Sequence, residues 1–287
     1  MTEFVGQMFA GATYGLILLL ISLGLTVVFG IGRVVNFAHG IFYALGAFVG
    51  VSLVPFIGIF GAMIVAPLLV AFLAVILDHV MIQRVRHQSE LMTFILTYGI
   101  LLILSNVIRD IWGTSSRYYD IPLALQGTWE VLGVRIGRYQ VVAGITAFAM
   151  AMTLVMILYG TSIGLKFRAA SEDPTTGSIV GIDTEKMFRI IFATGSALAA
   201  FAGVVSVPLY SAVVGMEEIV IYAFVIVIIG GLGSLRGTVV AALLVGIMTS
   251  VGSAYVAAWS SLLVFLLMLL VLVVEPRGIF REGRVLV

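Results

Sequence analysis

Long apolar stretches interrupted by short polar borders run through almost the whole chain, near 7–31, 37–55, 58–81, 91–111, 140–160, 188–210, 218–234, 237–255 and 259–274. Most match the roughly 20 residues that a bilayer-spanning helix needs. The pattern predicts an all-α polytopic membrane protein of about nine transmembrane helices, with eight or ten as the neighbouring counts. The region 218–255 has two readings: GGLGSLRG at 230–237 is either a tight turn between two spans or an unwound break within the membrane. The first apolar stretch is too long for a signal-peptide core and has no small-residue cleavage pattern before Arg33, so it is read as an uncleaved span.

Charge falls between the stretches and gives an orientation. With the carboxyl terminus on the cytoplasmic side, that side collects Arg33, Arg84, Arg86, Lys166, Arg168, Lys186, Arg189, Arg236, Arg277, Arg281 and Arg284, against Arg109, Arg117, Arg135 and Arg138 on the other. The bias predicts a periplasmic amino terminus and a cytoplasmic carboxyl terminus. Two connections are long. The periplasmic loop 112–139 contains Tyr118, Tyr119 and Trp129 and the alternating WEVLGVRI, which predicts a hairpin at the interface. The cytoplasmic segment 161–187 mixes charges with small residues; SEDP reads as a helix N-cap, and Gly181 followed by Asp183 reads as a stop and restart, which predicts one or two short helices.

Composition narrows the chemistry. Of 287 residues 62% are hydrophobic and the formal net charge is +1, which leaves no basic footprint for nucleic acid. Cysteine is absent, so disulfides and thiolate chemistry are excluded. The three histidines have no metal-ligand spacing, and no Ser-His-Asp order or phosphate-cradling loop occurs, so neither a metal site, a hydrolase nor an ATP site is expected in this chain.

Several groups interrupt the apolar pattern. Many of the 32 glycines suit close helix packing. In RVVNFAHGIFYALGA, Asn36, Phe37, His39 and Gly40 lie where a span begins; the amide and imidazole either hold a broken helix by hydrogen bonds or line a substrate path. Gly230, Gly231 and Gly233 form a second break that ends in Arg236 much as FGIGR ends in Arg33, so the two are read as corresponding points of an internal repeat facing each other across a gate. Glu217 and Glu218 are placed at the outer end of a span, where acids complement a helix N-terminus; a site for a substrate ammonium is the alternative reading of the pair. Asp78, Asp110 and Glu275 fall at span ends, which gives an ion-coupled carrier or autonomous channel no intramembrane relay.

The strings LGLTVVFGIGRVVNFAHG at 23–40, FRAASEDPTTGSIVGIDTEKM at 167–187, IIGGLGSLRGTVVAALLVG at 228–246 and EPRG at 275–278 resemble the permease subunits of branched-chain amino acid ABC importers, in particular the H-type subunit of the Liv system, over nearly the full length. The resemblance implies a single permease domain in the bacterial inner membrane, paired with a second, M-type permease. It also implies two ATPase subunits that bind the ATP and Mg, and a periplasmic binding protein that delivers a small-molecule substrate. It further implies that Arg168, Ala169, Glu172, Asp173, Gly181 and Ile182 belong to the segment that couples to an ATPase. One departure stands out: many amino acid members carry an acid directly after this His-Gly, where this chain has Ile41. Importers of the same architecture for urea, short amides or aromatic carboxylates remain the alternative at this point.

Overall fold

The computed structural model describes residues 2–280 except 33–35, 87, 132, 173 and 180. Arg33, Arg281, Arg284 and Asp173 therefore lie outside the described residues. The first helix, α1 (Thr2–Gly32), is followed by α2 (Ala38–Leu77), which continues through a π turn at Asp78–Ile82 and one more turn at Gln83–Val85. Next come α3 (Glu90–Trp112), an antiparallel hairpin of β1 (Thr128–Val131) and β2 (Val134–Gly137), and α4 (Arg138–Gly160). Two short helices follow, α5 (Ser162–Glu172) and α6 (Pro174–Ile179), then α7 (Thr184–Tyr210), α8 (Ile219–Gly230), α9 (Leu235–Tyr255) and α10 (Ser260–Val274).

Among the described residues seven helical stretches are long and apolar enough to cross a bilayer. The nine apolar segments fit this count for two reasons. The segments 37–55 and 58–81 form the two legs of α2, which breaks at Gly58 with φ 68°. That left-handed backbone suits glycine, and Pro55 lies one turn before it. The segment 218–234 is the second reason: its helix α8 has 12 residues and a length of only about 18 Å.

α4 runs from the hairpin to α5, so the bundle has a hairpin end and an α5–α6 end. Its centre is built from small residues. A Cβ placed on Gly46 of α2 would lie 2.2 Å from the Ala200 carbonyl oxygen of α7, and one on Gly203 would lie 2.1 Å from that of Tyr43. Gly15 of α1 and Gly246 of α9 meet in the same way. With no solvent-driven hydrophobic force between helices in lipid, such backbone-to-backbone approach supplies the dispersion contacts that hold them. The helix starts follow local chemistry: the side chains of Ser89, Asp183 and Ser234 accept from the backbone N–H of Met92, Lys186 and Gly237. Gly181, at φ 84°, stops the short helices directly before the Asp183 cap.

Candidate translocation site

The first break is held from within the protein. Asn36 Oδ1 accepts from the Ala38 N–H at the start of α2 at 3.0 Å, while the Phe37 N–H donates to Thr97 Oγ1 of α3 at 3.3 Å. His39 is fully buried, its Nε2 3.0 Å from the Ile21 carbonyl, in space left by Gly24 of α1. Gly24 lies eight positions from the end of α1, so His39 sits about 12 Å inside the bundle from the α5–α6 end. Gly40 must be glycine here, because its Cβ would lie 2.2 Å from the Glu217 carbonyl oxygen.

Above and below this break, polar and aromatic groups form a seam where α2 and α8 meet α3. Nearest the hairpin end, Glu217 accepts from the Ser105 hydroxyl of α3 and, at 3.1 Å, from the Gly215 N–H. Two to three turns further in along α3, Phe37 packs on Phe94 and Tyr98 of that helix and on Phe224 of α8, with centroids 5.0, 6.1 and 4.9 Å apart. Beyond them a small cavity is lined by Asn36, Thr93, Thr97 and Arg86 among apolar side chains, and the Asn36 amide nitrogen has no hydrogen-bond partner among the described residues. At the α5–α6 end an ion network closes the seam. Asp78, fully buried at the π turn, meets Arg86 at 3.5 Å and Arg189 at 3.4 Å; Arg86 also binds Glu185 and stacks on Phe188 at 3.8 Å, and Arg189 donates to Gln83. Burial of the Arg86 guanidinium lowers its pKa from the usual arginine value, and the neighbouring Glu185 and Asp78 carboxylates oppose that shift.

The exposed faces of the helices divide into two kinds. On the second leg of α2, Phe60, Ile64, Leu68 and Phe72 form an unbroken apolar stripe, as do Leu262, Leu266, Leu269 and Val273 on α10. The exposed stripe of α3 instead runs Ile95, Tyr98, Leu102, Asn106, which places a phenol and an amide well inside the bundle's thickness. Lipid penalises such groups, so this face turns toward protein or water.

The structure thus brings Asn36, Phe37, His39 and Gly40 together but sets Gly230, Gly231 and Gly233 in a separate cluster. The segment 231–234 is a turn between α8, which ends at Gly230, and α9. The Ile279 and Phe280 N–H groups donate to the Ile229 and Gly230 carbonyls, and Gly278 packs on Gly231, so the EPRG segment covers the turn. Gly233 takes φ 86° and faces open space. In the 161–187 segment Ala169 and Glu172 are exposed, Gly181 ends α6, and Ile182 is half-buried against the core. Arg168 is not free on the surface: it donates to the Leu158 carbonyl and lies over the Tyr159 ring, fastening α5 to the end of α4.

Two sequence expectations need correction. Glu217 is not at the outer end of a span. Gly215, at φ 99°, turns the chain back after α7, and the short α8 begins deep in the bundle beside Gly40 and Ser105. The rise from Ser105 to Trp112 is about 10 Å, which measures that depth from the hairpin end. The expectation of no intramembrane carboxylate therefore fails. The signal available was length: an apolar run of 12 residues before Gly230 cannot start at the surface. Ser105 and Asn106, polar inside an apolar span, were a second and overlooked signal.

The family described as the permease component of the branched-chain amino acid transport system matches residues 7–272. The chain belongs to this family of membrane permeases. It is 30% identical to the Escherichia coli K12 high-affinity branched-chain amino acid transport system permease protein LivH, over 98% of this chain and 97% of the relative. It is 28% identical to the Pseudomonas aeruginosa permease protein BraD, over 99% and 97%. Among solved structures, a metal-chelate type ABC transporter in an inward-facing conformation aligns with a TM-score of 0.50 at 15% identity, covering 95% of this chain and 82% of that one, a likeness of fold. The chain is an H-type Liv permease subunit with a transport role, and it spans the membrane several times.

Proposed function

We propose that this permease moves branched-chain or other hydrophobic amino acids across the inner membrane, along the seam between α3 and the α2–α8 pair. The observation that carries the path is the α3 face: Tyr98 and Asn106 stand exposed at membrane depth, and the seam behind them runs from Glu217 to the Asp78 network. The name of the E. coli relative supports the substrate class. The second, M-type permease packs against the same face, and a periplasmic protein delivers the substrate at the hairpin end. The amino terminus is periplasmic and the carboxyl terminus cytoplasmic, as the Lys and Arg distribution suggests.

ATP and Mg are bound by two partner ATPases, one of which docks on α5 and α6. That end offers exposed Ile163, Leu165 and Ile179 beside Lys166 and Glu172, an apolar patch with a charged rim, and α6 leads through Gly181–Asp183 straight into α7 and its ion network. A rigid push on α5 is thereby passed to the inner end of the seam.

The test is uptake of labelled leucine, isoleucine and valine by the complete complex in proteoliposomes with ATP inside. ATP-dependent uptake of these and not of urea or an aromatic carboxylate is expected; the reverse preference would overturn the substrate assignment. A Leu165→Glu variant should purify folded but with less bound ATPase, and undiminished ATPase content would move the docking site elsewhere.

A further inference from the structure

Packing alone gives little reason for a carboxylate at position 217. It is buried to 8% exposure in the middle of the bundle, and among the described residues it has no cationic partner. A charge at that depth is costly, and where one is kept it marks a binding or transport function more often than a structural one. Its partners are modest ones: a serine hydroxyl and one backbone N–H. An ionised carboxylate offers about four acceptor positions, so two remain for donors that the described residues do not provide.

The surroundings define which donor fits. Gly40 leaves no side chain between α2 and the Glu217 turn. One helical turn along both α2 and α8, from Gly40 to Phe37 and from Val220 to Phe224, lies the aromatic cluster of Phe37, Phe94, Tyr98 and Phe224. On α3, Ser105, which holds the carboxylate, lies seven residues from Tyr98, so the carboxylate and the rings are about 10 Å apart along the seam. A negative acceptor at one end and ring faces at the other suit a molecule that presents a primary ammonium to the carboxylate and an apolar body toward the rings. A neutral amide, or a carboxylate that carries no ammonium, does not match this polarity.

We infer that Glu217 receives the ammonium group of the substrate within the membrane, with the apolar side chain directed toward Phe37, Tyr98 and Phe224. The inference rests on the amino-acid reading given above and deepens it by naming the recognising residue. In the conformation described here the seam is closed over the carboxylate; parting of α3 from α8 opens it to the passing substrate. Ser105 is then a positioning residue, which orients one carboxylate oxygen and leaves the charge in place.

The experiment uses the complete complex in proteoliposomes, with leucine as the probe and wild type, Glu217→Gln, Glu217→Asp and Ser105→Ala compared. Glu217→Gln keeps the volume and one acceptor but removes the charge. It is expected to assemble in normal yield and keep ATPase stimulation by loaded binding protein, while leucine uptake falls at least tenfold. Glu217→Asp should recover part of that loss, and Ser105→Ala should stay within threefold of wild type. A purely structural bolt between Glu217 and α3 predicts otherwise: Ser105→Ala and Glu217→Gln would then lower assembly or thermal stability together. That pattern, or Glu217→Gln taking up leucine within twofold of wild type, overturns the proposal while leaving the amino-acid reading intact. A wild-type complex that hydrolyses ATP yet takes up no amino acid overturns that reading, and the proposal with it.

Discussion

Replacing Asp78 with Asn tests whether the ion network at the α5–α6 end holds the bundle together. The carboxylate is fully buried and faces two guanidinium groups, Arg86 at 3.5 Å and Arg189 at 3.4 Å. Breaking a buried ion pair by removing one partner costs about 3–5 kcal/mol, because it leaves a desolvated charge behind. Asn keeps one acceptor, Arg86 keeps Glu185 and its stack on Phe188, and Arg189 keeps Gln83 and is partly exposed. The expected cost is therefore at the low end of that range, about 3 kcal/mol. Glu185 is about one-third exposed, so Glu185→Gln should cost only about 1 kcal/mol or less. Apparent melting temperatures of the purified protein, taken by tryptophan fluorescence at a single scan rate, give the ranking. A double-mutant cycle of Asp78→Asn with Arg86→Gln should show a coupling of about 1–3 kcal/mol. If Asp78→Asn melts with the wild type, or if Glu185→Gln falls further, the buried carboxylate does not organise this end of the bundle.

Two other outcomes follow from the packing and the charge pattern. Gly46→Ala should lower folded yield sharply, since its Cβ would meet the Ala200 oxygen at 2.2 Å, whereas Gly144→Ala, whose Cβ would meet Thr13 at 3.5 Å, should be neutral or slightly stabilising in membrane-extracted protein assayed by size-exclusion chromatography. In this cysteine-free chain, Leu123→Cys should react with an impermeant maleimide from the periplasmic side and Ile179→Cys from the cytoplasmic side, both positions being well exposed; reversed labelling would invert the orientation.

How much of this was legible beforehand depended on the kind of signal. The spans were visible because apolar runs bounded by charge have one common solution in a bilayer, and the Gly58 break fell at the boundary drawn between 55 and 58. The Gly181–Asp183 restart was visible because left-handed glycine and an Asp cap are local chemistry. Glu217 was misplaced because its depth depends on how far the chain re-enters after α7, a tertiary fact that hydropathy does not encode. Arg168 was expected to face a partner, but its guanidinium finds the Leu158 carbonyl ten residues back, where α4 ends. The Asp78 network joins residues more than a hundred positions apart and left no mark on the sequence beyond an acid near a span end.

The central claim, that the α3 face borders the path, is tested most directly at Tyr98. A Tyr98→Cys variant of the cysteine-free chain, assembled with its partners in proteoliposomes, is treated with a charged, water-soluble thiosulfonate, with Leu269→Cys on the apolar stripe of α10 as the control. The account predicts that Tyr98→Cys reacts, that the reaction stops leucine uptake, and that leucine delivered by the binding protein slows it, while Leu269→Cys stays unreactive. A Tyr98→Cys that is as inert as Leu269→Cys, or that reacts fully while uptake continues unchanged, would contradict it.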